Sequence, residues 1–92
     1  MDHWQMLKVI KLYDERVAKE LASHPDAELV HLKDMFPKMV SIADKSFWMA
    51  EPVKSEQWDK VNRWLGFVQG VLWNKRIYTI DDMREHNRGE LK

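Results

Sequence analysis

Glu28 and His31 are the first residues whose spacing suggests chemistry. A Glu-x-x-His pair lies on one face of a helix, and helical di-iron sites use it twice, with further carboxylates from other helices. This chain has the pair once, so it is read as solvent-facing and no metal is expected. His3, His24 and His86 have no companion at i+4 and are read as surface residues. Asp81, Asp82 and Glu85 are the nearest approach to a carboxylate cluster that would hold magnesium around a phosphate. Acids in a helix's first turn are already accounted for by capping and the helix dipole. Ser23, Ser41, Ser46 and Ser55 have no context marking a nucleophile, and no phosphate-cradling glycine loop occurs. The absence of cysteine excludes thiol catalysis, zinc knuckles, iron-sulfur sites and disulfides. No catalytic residue and no cofactor is assigned, and the chain is expected to be non-catalytic.

Charge bears on nucleic acid. Fifteen bases against fifteen acids cancel, which removes the strong positive field that a nucleic-acid or anionic-lipid surface attracts. The distribution is uneven: residues 1–53 carry seven bases and nine acids, and 54–92 carry eight and six, so the halves stand at −2 and +2. Lys60, Arg63, Lys75, Arg76, Arg84 and Arg88 would form the basic face of a small helical nucleic-acid-binding regulator. Asp59, Asp81, Asp82 and Glu85 interleave with them, as on an ordinary solvated surface.

The elements that must position these residues are helical. Ninety-two residues make one domain, Gly and Pro occur three times each, and apolar residues recur at helical spacing nearly throughout. The pattern predicts an all-α fold: a compact single-domain bundle of four main helices at roughly 2–23, 34–48, 55–73 and 80–88, with a short helix or turn at 25–32. Asp2 should cap the first helix, whose stripe is Met6, Leu7, Ile10, Tyr13, Val17 and Leu21, and Pro25 should stop it at Ser23-His24. Asp34 should cap the next, with Pro37 in its first turn and a stripe of Phe36, Met39, Val40, Ala43 and Phe47. Ser55 should cap the strongest helix, whose Trp58, Val61, Leu65, Val68 and Leu72 recur at three and four. That helix is expected at the centre, ended by a left-handed Asn74. Thr79 and Asp82 should open the last helix as a capping box, and Gly89 should end it before a frayed tail.

More apolar surface is present than one small core needs. Five tryptophans and six methionines make eleven of 92 residues, and both types favour contact surfaces. Steps of about 100° per residue put Gly66 and Gly70 together, away from the Leu65 stripe, with Phe67 and Trp73 also off it. The i and i+4 glycines let another backbone approach; a close crossing by a helix of the same chain is expected, and an intermolecular contact is the alternative. On the first helix Trp4, Val9 and Leu12 lie around from the Ile10 stripe. The candidate partner-binding residues are therefore Trp4, Val9, Leu12, Gly66, Phe67, Gly70 and Trp73. No apolar run nears the roughly 20 residues of a membrane span, and Met1-Asp2-His3-Trp4 does not begin a signal peptide, so a cytoplasmic protein is expected.

The stretch Trp64-Leu65-Gly66-Phe67-Val68-Gln69-Gly70-Val71-Leu72-Trp73, followed by Tyr78-Thr79-Ile80-Asp81-Asp82-Met83-Arg84-Glu85-His86-Asn87-Arg88, resembles small uncharacterised accessory proteins of tailed bacteriophages and prophages. The likeness spans about residues 58 to 88 and carries no catalytic residue. It implies a bacterial cytoplasmic setting and an inhibitor that blocks or redirects a host or defence protein by stoichiometric contact. The first expectation is thus a protein-binding module, with a homodimer among its assemblies. The alternative is the nucleic-acid-binding regulator, and a third reading is a magnesium-dependent hydrolase using Asp82.

Overall fold

The computed structural model describes residues 3–46 and 48–88. They form a single-domain, all-α four-helix bundle: α1 (His3–Ser23), α2 (Ala27–Ser46), α3 (Val53–Asn74) and α4 (Ile80–Asn87). Asp2, Phe47, Gly89 and the tail after it lie outside the described residues.

One boundary differs from the sequence reading. Residues 27–46 are one helix with Pro37 inside it, and not a short element followed by a helix starting at Asp34. A proline inside a helix removes a hydrogen bond and costs about 3 kcal/mol or more. What outweighs it is the buried series Leu29, Leu32, Phe36, Met39, Ala43 and Ser46, an unbroken three-four repeat along the core face. Pro37 itself is exposed. The cap is Asp26, whose carboxylate accepts from the Glu28 and Leu29 amides at 3.0 and 3.2 Å.

Packing corrects a second expectation: α2, not α3, is the central helix, making extensive contact with both α1 and α3. Val61, Leu65, Val68 and Leu72 are the buried residues of α3 and occupy only about 60° of its circumference, the signature of a flanking helix. The buried residues of α1 are His3, Met6, Val9, Ile10, Tyr13 and Val17. Val9 is therefore core, and Leu7, Leu12 and Leu21 pack half-buried around it. Val40, expected on the α2 stripe, is exposed because it lies one residue, about 100°, past Met39.

The ends of α3 also differ. Its N-cap is Pro52, which supplies no side-chain bond, while Ser55 Oγ donates to the Glu51 carboxylate. Beyond its C-terminus the left-handed residue is Arg76 (φ 60°), not Asn74, which remains helical. The predicted Thr79–Asp82 capping box is present: Asp82 N–H donates to Thr79 Oγ1 at 3.1 Å, and Thr79 N–H to the Asp82 carboxylate at 3.0 Å.

Candidate functional site

Two regions of α3 stand out, one open and one closed. The open region is the outward face of its C-terminal half. Gly66, Phe67, Gly70 and Trp73 fall within about 120° of the circumference, and all four are exposed, Phe67 at 52% and Trp73 at 53%. A Cβ built at Gly66 or Gly70 meets nothing within 4 Å, so among the described residues no helix crosses there, and the expected internal crossing is overturned. Each mid-helix glycine costs roughly 1 kcal/mol relative to alanine, and internal packing supplies no reason for either.

Shallow grooves adjoin this face. Ala27, Glu28 and His31 of α2 with Phe67 and Val71 of α3 line one of about 220 Å³, where the His31 and Phe67 rings meet edge-on at 6.4 Å. Trp73, Arg76, Tyr78, Thr79, Ile80 and Asp81 line another of about 400 Å³, in which Ile80 is half exposed. These walls are apolar and aromatic with a few charges at the rim, the make-up of a protein-contact surface.

The closed region lies where α4 meets α1 and α3. Gln69 Nε2 donates to the Tyr13 hydroxyl at 3.0 Å and to Asn87 Oδ1 at 2.9 Å. The Tyr13 hydroxyl is 2.8 Å from His86 Nδ1. Gln69 donates to that hydroxyl and leaves its proton able to go to Nδ1 of an imidazole that carries its own proton on Nε2; the other tautomer would donate from Nδ1 to the same oxygen. The Tyr78 ring lies edge-on to His86 at 4.9 Å, and the Arg16 guanidinium sits 5.8 Å from the Tyr78 ring centre. Burial pushes the Tyr13 phenol up to about 12 against the opposing Gln69 bond, and burial raises Tyr78 as well. Burial also holds His86 below the ordinary histidine value, outweighing the opposite pull of Asp82 and Glu85. The phenol is buried and its pKa raised, and the bonds of this cluster fasten α4 to α1 and α3.

The sequence-predicted residues divide accordingly. Trp4 (66% exposed), Gly66, Phe67, Gly70 and Trp73 are on the surface. Val9 is fully buried and is withdrawn from the contact set, and half-buried Leu12 belongs chiefly to the core. His3 and His86 are buried, not surface residues. Trp4 lies at the opposite end of the bundle from Trp73, since the His3 ring contacts Trp58 near the start of α3 at 6.0 Å.

The basic residues do not make a uniform face. Lys75 is bound to Asp26 at 2.8 Å and approaches Glu28 at 3.6 Å. That bond raises the Lys75 pKa and lowers that of Asp26. Lys60 lies 5.2 Å from the Trp64 ring centre, and Arg84 is 3.7 Å from Asp81. Arg63 and Arg76 are exposed. Asp82 is held below the usual carboxylate range by its bonds with Thr79. Among the described residues no group of three or more His, Asp or Glu side chains gathers in metal-binding geometry.

Sequence reasoning missed Trp48, Met49 and Val53, which are exposed around the α2–α3 connector, Trp48 at 81%. They share the bundle end that carries Trp4. The available signal was three large apolar residues flanking Pro52, where no helical stripe can bury them. No protein-family model, curated protein or solved structure matches this chain. Among the described residues no helix is long and apolar enough to cross a membrane.

Proposed function

We propose that the chain is a non-catalytic protein-binding module acting by stoichiometric contact through the outward face of α3. The single observation that carries this reading is the uncovered Gly66–Phe67–Gly70–Trp73 surface. Two large aromatic side chains flank two helical glycines that the protein's own packing does not require. An approaching backbone would sit against the glycines, and Phe67 and Trp73 would serve as the buried anchors that dominate such interfaces. In keeping with the resemblance of residues 58–88 to phage and prophage accessory proteins, the partner is a bacterial host or defence protein and the effect is inhibition or redirection. A cytoplasmic setting and a homodimeric assembly belong to the same proposal.

The test is capture of partners from bacterial lysate with mass spectrometry, alongside solution mass. The native chain is compared with Phe67→Asp and Trp73→Asp. Both side chains are half exposed, so the variants should keep their stability within about 0.5 kcal/mol. A partner, or a dimer, retained by the native chain and lost at least ~10-fold in both variants is the expected result. A native chain that stays monomeric and captures nothing, or a partner held equally by the variants, overturns the assignment.

A further inference from the structure

We propose that His86 makes the docking of α4 pH-dependent, so that protonation of its imidazole releases α4 from α1 and α3 while the three long helices stay packed. α4 is lightly held. It has eight residues, fewer than the ~12–15 at which isolated helices become even marginal, so its folding depends on docking. Met83 and His86 are the only side chains it buries, and its contact with α1 is small. Half of its buried anchorage is therefore a titratable ring. The connector before it turns through Arg76 in the left-handed region and is bonded back to α3 as far as Ile77, so α4 begins just beyond the last residue so held.

The bond network is what couples proton to position. Gln69 donates to the Tyr13 hydroxyl, which lies 2.8 Å from His86 Nδ1, and with the neutral ring protonated on Nε2 that hydroxyl donates to Nδ1. The chain of donors runs in one direction and needs an unprotonated Nδ1 at its end. An imidazolium would aim a second N–H at the Tyr13 oxygen and orphan the buried hydroxyl proton, which must then break from Nδ1. Around the ring are Tyr13 of α1, whose hydroxyl Gln69 of α3 also bonds, Tyr78 of the connector with Arg16 of α1 over its ring, and Asp82 and Glu85 of α4 itself. Asp82 and Glu85 favour the charged ring and so oppose release, but burial outweighs their pull in the docked structure. Arg16 lies over the Tyr78 ring and is itself paired with Glu20 at 2.9 Å.

The sign follows from burial. The docked ring titrates below the ordinary value near 6.5, so docking is fully supported above that pH and weakens as pH falls through it toward the docked value. Release also removes the wall that Tyr78, Thr79, Ile80 and Asp81 give the Trp73 groove.

The experiment is backbone hydrogen exchange, corrected for intrinsic rates, at about pH 7.5 and about pH 5, with NMR titration of the His86 ring and helix content by circular dichroism. Amides of Met83 to Arg88 are expected to lose at least ~10-fold of their protection at the lower pH, with a midpoint matching the ring titration, while α1 to α3 keep theirs. His86→Gln cannot be protonated, so α4 exchange should be flat with pH, whether that variant docks or not. Unchanged α4 protection in the native chain, a midpoint that departs from the ring titration, or pH dependence surviving in His86→Gln each overturns the proposal.

Discussion

Gln69 and Gly70 are neighbours on α3 and serve opposite surfaces. Gln69 turns inward, and its amide ties α1 to α4 through Tyr13 and Asn87. Gly70 faces out, beside Phe67 and Trp73, where an added Cβ would meet empty space. In the closed region the Tyr13 hydroxyl, Gln69 Nε2 and His86 Nδ1 have partners, and aromatic rings pack around them. In the open region Phe67 and Trp73 are half exposed to water, Phe67 touching the His31 ring on one side. The first arrangement holds a short helix onto a bundle. The second contributes nothing internal, and its two glycines weaken the helix that carries them. A residue that stabilises the fold and a residue offered for contact are thus distinguished by what their substitution does to stability.

The contrast can be broken most forcefully at its closed side. Tyr13→Ala empties a fully buried ring site and strips partners from Gln69 and His86, so it should cost about 3–5 kcal/mol in urea unfolding. A loss under ~1 kcal/mol would mean that the cluster fastens nothing. Next in size is the paired change Gly66→Ala with Gly70→Ala. Because each new methyl enters open space, the pair should raise stability by roughly 2 kcal/mol while reducing partner capture. A destabilised double variant would show that the bundle itself uses that space. The smallest effect sharpens the comparison within α4: Thr79→Ala removes the capping bond to Asp82 and should cost about 1 kcal/mol. Exchange should then rise in α4 alone, whereas a cost spread evenly over all helices would tie α4 into the main core more firmly than its contacts indicate.

Much of the fold was legible because local rules and tertiary demands agreed. Pro25 ends α1 as its chemistry requires, and the Thr79–Asp82 box forms where the four-residue spacing places it. Where they disagreed, tertiary packing prevailed. Pro37 argues for a helix start, yet Leu29 and Leu32 extend the Phe36–Met39–Ala43 stripe in register, and burial of the whole row carries the helix through the proline. Val9 and Ile10 both face the core because α1 buries a band between two stripes, and choosing Ile10 alone sent Val9 to the wrong side. His86 had no sequence companion because its hydrogen-bond partner, Tyr13, is 73 residues away in the chain.

By itself the sequence determined an all-helical single domain, the absence of thiol and disulfide chemistry, and the outward turn of Phe67 and Trp73 relative to Leu65. Those follow from composition and from the fixed rotation per residue of a helix. Only the tertiary structure decided that α2 lies in the middle, that the Gly66–Gly70 side is left uncovered, and that Tyr13, Gln69 and His86 meet. The physical reason is that periodicity states which side of a helix avoids water but not which helix it meets. That choice depends on how all the stripes can be buried together.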